Sequence, residues 1–149
     1  MAHTYSDILI HLVFSTKDRA SLLTSDIRKT IFPYMSGICN ELRAIPHLIN
    51  GPLDHVHALI GIPPAIAVAE LTRVLKSNSS KWINEELPLN HFAWQSGYSA
   101  FSVSRLDAID RLRLHRQSRR APQKMSFQEE LLTLLKKHGV QYDERYIWK

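Results

Sequence analysis

The sequence predicts an α+β fold in which strands and helices follow the order β-α-β-β-α-β, with further helices at the C-terminus. Three observations support this order: a period-two alternation of apolar residues near the N-terminus, amphipathic segments at helical spacing, and a capping box close to the C-terminus. The chain has 149 residues, of which 44% are hydrophobic and 22% charged. This is enough for one packed core, so we expect a single domain over residues 1–149.

The first strand and first helix are predicted within the N-terminal third. Tyr5–Ser15 alternates apolar residues with a period of two, which is typical of a strand. The segment 23–44 repeats apolar residues close to the 3.6-residue period of a helix. Ser25 is its expected N-cap, and Pro33 is expected either to kink the helix or to mark a later start.

The middle of the chain predicts a hairpin and a second helix. Two apolar runs, residues 45–50 and 55–62, flank the turn-forming sequence GPLD and therefore indicate paired strands. The apolar spacing from Ile66 to Glu86 indicates a helix. The stretch 91–104 is rich in aromatic and β-branched residues and predicts a fourth strand with a bend or bulge at Gly97.

The clearest helix of the chain is predicted near its end. In SFQEELLTLLKKHG, Ser126 and Glu129 form a capping box, and Gly139 provides the C-terminal stop. The complete order matches the ferredoxin-like plan, an antiparallel sheet with helices on one face, here followed by C-terminal helices.

Composition excludes several classes of protein. No apolar run approaches the roughly 18 residues of a membrane span, and the N-terminus lacks the features of a secretion signal. Cys39 is the single cysteine, so no disulfide framework is predicted, and the cytoplasm is the expected location. The segment Arg111–Lys124 holds six of the 19 basic residues and none of the 14 acidic ones, so the net charge of +5 comes from this segment alone.

The chemical feature of the sequence is the His-x-His pair in DHVHALI. On a strand, residues two apart point to the same face, so His55 and His57 project together. Two imidazoles on a rigid strand are able to bind one divalent ion. The alternative is a pair of half-exposed strand histidines with no ligand, because most protein metal sites need a third donor.

Four segments together resemble the single-tyrosine transposases of small bacterial insertion sequences, which belong to the His-hydrophobic-His endonuclease superfamily. They are HLVFSTKDR, DHVHALI, WQSGYSAFSVS and the ending SFQEELLTLLKKHGVQYDERYIW. The resemblance implies a ferredoxin-like core, a homodimer, and single-stranded DNA hairpins at element ends as the partner. It also implies a divalent ion, Mg²⁺ or Mn²⁺, that polarises the scissile phosphate.

The resemblance assigns roles to individual residues of this sequence. The resemblance implies that His55 and His57 are the metal ligands. Lys17 and Arg19 match basic positions after the first strand, where they either contact phosphates or are simply solvated. Tyr98 matches a structural position rather than the nucleophile.

One segment departs from the family pattern. The resemblance implies a nucleophilic tyrosine that forms a 5′-phosphotyrosine, and a glutamine four residues later that completes the metal shell. A gapless count back from Ser126 places Leu114 at the tyrosine position and Ser118 at the glutamine position, so no catalytic residue is intact. When residues 114–124 are translated one base forward with permitted codons, the family motif is recovered. We therefore hypothesise two compensating one-base shifts, one near Arg113 and one near Met125.

The departure leaves three functional interpretations. The first is a transposase-family protein that keeps the fold and metal pair but has lost strand cleavage. The second is an active enzyme that uses another tyrosine, such as Tyr98 or Tyr142. The third is a noncatalytic hairpin-binding protein, or an inhibitor that forms mixed dimers with an active relative. The basic segment is expected to form only a short helix that ends at Ala121-Pro122 and to attract DNA nonspecifically.

Overall fold

The computed structural model describes residues 3–87, 89, 91–110, 126–145 and 147. The predicted short helix and the positions Leu114 and Ser118 lie outside these residues. In the described part of the chain, no helix is long and apolar enough to cross a membrane.

Four antiparallel strands form one sheet. They are β1 (Leu9–Ser15), β2 (Ile45–Asn50), β3 (His55–Gly61) and β4 (Ser99–Val103), in the spatial order β2-β3-β1-β4. The hairpin of β2 and β3 is therefore confirmed, and the central pair of the sheet is β1 with β3. The predicted α+β class with an antiparallel sheet is confirmed.

Two helices cover one face of this sheet. They are α1 (Ser25–Glu41) and α2 (Val68–Glu86), and both are close to their predicted positions. Alternate residues of β1 and β3 point toward them, because successive side chains of a strand lie on opposite faces. The main core lies between these helices and the sheet and contains the buried Ile10, Leu12, Phe14, Val56, Ala58, Ile60, Ile31, Met35, Leu71 and Leu75.

The opposite face is partly covered by α3 (Phe127–Lys137), the predicted capped helix. Ser126 accepts a hydrogen bond from the Glu129 N–H at 3.2 Å, as the capping box predicted. Apolar residues of α3 form a second core against Val13 and Phe101. All seven residues of β1 are consequently buried, although a sheet with one covered face buries only every second residue.

The start of α1 differs from the prediction. Thr24, not Ser25, is the N-cap, and its hydroxyl accepts a hydrogen bond from the N–H of Ile27. The preceding residue, Leu23, is fully buried and donates its N–H to the carbonyl of Leu53 at 2.8 Å, which holds this part of the chain in an extended conformation. Pro33 lies inside the helix, which continues through it.

Two predicted strands are shorter than expected. β1 begins at Leu9 instead of Tyr5, and β4 begins at Ser99 instead of residue 91. The chain before β4 is held by Lys76 of α2, whose ammonium donates to the carbonyls of Gln95 and Gly97 at 2.6 and 2.9 Å. An isolated bridge between Thr16 and Trp94 pairs this stretch with the end of β1, but the continuous strand begins only at Ser99. Burial of the ammonium lowers the pKa of Lys76 below its usual value.

Candidate metal centre

His55 and His57 lie on β3 and face α3, away from the main core. Their cross-strand partners on β1 are Ser15 and Val13, respectively. His55 is only 1% exposed, because the ring of Phe127 packs against it with centroids 4.9 Å apart. His57 is part-buried. The sequence prediction that both imidazoles project to one face is confirmed by this register.

A carboxylate from α3 completes a group of three donors. Oε2 of Glu130 lies 2.9 Å from Nε2 of His55 and 2.6 Å from Nε2 of His57, and the two Nε2 atoms are 3.1 Å apart. Among the described residues, His55, His57 and Glu130 form a group whose ligand atoms lie close enough together that they could hold one metal ion. We call this group the His-His-Glu triad. A carboxylate oxygen and two imidazole nitrogens at such distances require a shared cation or proton between them, because their lone pairs otherwise repel.

The sequence did not predict Glu130 as a ligand. Glu129 and Glu130 are adjacent in the first turn of α3, and both complement the helix dipole there. Only the packing of α3 on the sheet decides which carboxylate reaches the histidines. Phe127 packs against His55 and so fixes the position of this turn. Glu130 follows Phe127 by three residues and therefore points toward the same side of the helix.

The separations within the triad suit a divalent ion. Two donors at about 2.1 Å from one ion are about 3.0 Å apart when their bonds meet at a right angle, and about 3.4 Å apart in a tetrahedron. The three observed separations, 2.6, 2.9 and 3.1 Å, fit the right-angle arrangement better. Three donors on one side of an octahedron leave the other positions open for water or phosphate oxygens. The set combines imidazole nitrogen with carboxylate oxygen, and this combination does not by itself select one divalent ion.

Two further side chains orient the imidazoles. Oδ1 of Asp54 lies 2.7 Å from Nδ1 of His55, so the carboxylate accepts the ring hydrogen there and leaves Nε2 with its lone pair. Nε2 of His11 lies 2.9 Å from Nδ1 of His57. His57 presents the Nε2 lone pair to an ion when its Nδ1–H donates to His11. Both histidines therefore have the kind of orienting partner that metal-binding histidines usually have.

The backbone of Asp54 is hydrogen-bonded to the residue that follows β1. The N–H of Thr16 donates to the carbonyl of Asp54 at 2.9 Å, and the turn Lys17–Arg19 follows directly. Lys17 is exposed and Arg19 is half-buried. This turn therefore lies at the same end of the sheet as His55, which pairs with Ser15. A role for Lys17 and Arg19 in phosphate binding stays a prediction.

Comparison with known proteins identifies relatives of this fold. A family model described as "Transposase IS200 like" matches residues 4–113. Two transposases for insertion sequence element IS200, from Salmonella typhimurium and Salmonella typhi, are each 25% identical over 111 residues, covering 70% of this chain and 73% of the relative.

Two solved structures share the fold. A candidate transposase from Deinococcus radiodurans superimposes with a TM-score of 0.65 at 17% identity, covering 82% of this chain and 98% of the other. A REP-associated tyrosine transposase bound to a REP hairpin superimposes with a TM-score of 0.54 at 12% identity, covering 77% of this chain and 66% of the other. The family match ends at residue 113, immediately before the position at which the resemblance places the nucleophilic tyrosine.

Proposed function

The chain belongs to the IS200-like transposase family, and from this premise we propose that it binds single-stranded DNA hairpins through a divalent ion without cleaving them. The ion is Mg²⁺ or Mn²⁺, held by His55, His57 and Glu130. The observation that carries this proposal is the geometry of the His-His-Glu triad, whose three donor atoms lie within 3.1 Å of one another.

The triad does not depend on the segment that departs from the family pattern. The resemblance implies a glutamine as the third ligand, at the position that Ser118 occupies here. Glu130, from α3, supplies a carboxylate oxygen instead. A bound ion supplies Lewis acidity toward a phosphodiester oxygen. The protein holds the ion through rigid elements, a central strand and a capped helix, and orients both imidazoles through Asp54 and His11.

The proposed partners are DNA and a second copy of the chain. Lys17 and Arg19 follow the end of β1, where the N–H of Thr16 donates to the carbonyl of Asp54, and their assigned role is to bind phosphates that flank the metal. A tyrosine transposase of the same fold is bound to a DNA hairpin, which supports a hairpin as the partner. The homodimer is proposed from the resemblance, and the exposed Leu106 and Ile109, which follow β4, are candidate contacts for it.

Loss of strand cleavage is proposed from the missing nucleophile. Leucine at position 114 has no nucleophilic group, and the family match stops one residue before it. The hypothesis of two compensating frame shifts is tested by the gene. The hypothesis requires the codons at Leu114 and Ser118 to give tyrosine and glutamine when translated one base forward, and those at Ala121 and Pro122 each to give histidine. Any other result at these four codons would exclude it.

One set of assays tests the proposed function. The protein is titrated with Mn²⁺ by calorimetry, and its affinity for labelled hairpin strands from the flanks of its gene is measured with Mn²⁺ or with a chelator. Denaturing gels then detect any covalent protein–DNA adduct. We expect one bound ion, metal-dependent hairpin binding and no adduct. The double change Leu114→Tyr with Ser118→Gln tests whether adduct formation is restored.

The alternatives predict different results. An adduct that disappears in Tyr98→Phe or Tyr142→Phe would show an active enzyme with a recruited nucleophile. Salt-sensitive hairpin binding that ignores Mn²⁺ would show a DNA-binding protein in which the triad has another role. Suppression of cleavage by an active relative, together with mixed dimers, would show an inhibitor.

A further inference from the structure

A cavity of about 300 Å³ lies beside the candidate metal centre, between the start of β4, α3 and the C-terminal turn. This volume is at the small end of the roughly 300–1,000 Å³ of small-molecule sites. We call it the β4–α3 cavity. Its described lining residues include Gln95, Tyr98, Ser99, Leu131, Tyr142 and Asp143.

The sheet register places this cavity close to the triad and on the same face. His57 pairs with Val13 of β1, and Val13 pairs in turn with Ser99 of β4. Directly opposed residues of antiparallel strands share a face, and two strand spacings amount to about 10 Å. The helix gives the same result, because Glu130 contacts the histidines while the next residue, Leu131, lines the cavity.

The chemistry of the lining favours a flat, uncharged group over a phosphate. Tyr98 and Tyr142 are 39% and 37% exposed and therefore present ring surface to a ligand. Leu131 adds apolar surface. The charged residue among the described lining residues is acidic, Asp143, whose carboxylate is paired with Arg145 at 2.8 Å. Because the Asp143 carboxylate is already paired with Arg145, the described lining offers no unpaired positive charge for a phosphate. Its aromatic and apolar surface instead suits the face of a nucleobase, which every base presents.

We propose that the β4–α3 cavity binds the base of a nucleotide that flanks the phosphodiester held at the His-His-Glu triad, with Tyr98 and Tyr142 as the stacking surfaces. The inference rests on the proposed function, because it takes single-stranded DNA as the ligand. It assigns to the two tyrosines a binding role that needs their rings and not their hydroxyl groups.

The test combines abasic sites in the DNA with substitutions in the cavity. The probe is a labelled DNA hairpin from the flank of the gene, with a single-stranded extension in which one abasic site is moved from position to position. The bound hairpin keeps the single-stranded extension in one position on the protein. The abasic site that weakens binding therefore identifies which base the cavity holds. Affinities are measured in Mn²⁺ for the unchanged protein, for Tyr98→Leu and Tyr142→Leu, and for Tyr98→Phe and Tyr142→Phe. Tyr5→Leu is the matched control, because Tyr5 is 92% exposed and does not line the cavity.

We expect an abasic site at one position to weaken binding by about 5- to 150-fold, the range of base–aromatic stacking. The Phe variants and Tyr5→Leu keep this dependence, and the Leu variants reduce it to less than about twofold, since a leucine offers no ring surface. Unchanged Mn²⁺ affinity and circular dichroism show that the Leu variants are folded. If a Leu variant is unfolded, 2-aminopurine is placed at the sensitive position and its fluorescence is measured in the unchanged protein and the Phe variants. Quenching of this fluorescence on binding is expected in each, because the base stacks on an aromatic ring, and its absence would contradict stacking.

Two results would overturn the inference while leaving the proposed function intact. One is metal-dependent hairpin binding that no abasic position weakens. The other is a sensitive position that persists in both Leu variants. If the unchanged protein binds no hairpin at all, the proposed function fails and the inference fails with it.

Discussion

The role of Glu130 as the third ligand is tested most directly by replacing it with alanine. Its Oε2 lies within 2.9 Å of both histidine nitrogens, so Glu130→Ala removes one of three donors. Loss of a group that only orients a ligand typically lowers metal affinity 10- to 100-fold. Loss of the ligand itself is expected to cost at least about 100-fold, or about 2.8 kcal/mol at 1.4 kcal/mol for each factor of ten.

Glu129→Ala is the matched control, because Glu129 is the adjacent carboxylate in the same first turn of α3. Each substitution removes one negative charge from the N-terminus of the helix and is expected to lower stability by about 0.3–1 kcal/mol. Only Glu130→Ala is expected to lower the affinity for Mn²⁺, measured by isothermal titration calorimetry. Equal Mn²⁺ affinity in the two variants would refute the assignment of Glu130. An intermediate affinity is expected for Glu130→Gln, because its amide oxygen is a weaker donor.

Three further predictions follow from neighbouring features. His11→Ala is expected to lower Mn²⁺ affinity about 10- to 100-fold in calorimetry, because an orienting partner of the ligands is lost; unchanged affinity would contradict this. Gly51→Ala would place a Cβ 2.0 Å from the carbonyl oxygen of His55 and is expected to destabilise the fold by about 1–3 kcal/mol. Gly37→Ala meets no atom within 4 Å and is expected to stabilise α1 by about 0.5–1 kcal/mol. Urea denaturation of the two variants measures both changes in the free energy of unfolding. Burial raises the pKa of Cys39 from 9.0 to about 11, so the contribution of this thiol to stability is constant below pH 9 and is lost as the pH rises toward 11. The loss of stability over this range in urea denaturation is expected to be smaller in Cys39→Ala than in the unchanged protein, and an equal loss would contradict this.

The order of the helices and strands was predictable from the sequence, because each of them leaves a pattern in its own short stretch of residues. The alternation before Ser15 and the capping box at Ser126 each predicted an element that the structure contains. Exact ends were less predictable. Either Thr24 or Ser25 is able to cap a helix, and a distant contact of Leu23 decides between them. The stretch before β4 is likewise held by a distant residue, Lys76 of α2, which binds its backbone carbonyls.

The candidate metal centre was also predictable from the sequence only in part. The sequence determined that His55 and His57 share a face, because the period of a strand is two. It did not determine Glu130, which is 73 residues from His57 along the chain and adjacent to an equally acidic Glu129. It also did not determine His11, which reaches His57 only because β1 and β3 are paired. Ligands from different elements converge only when the sheet register and the packing of α3 are established, and both depend on nonlocal contacts that no local sequence pattern encodes.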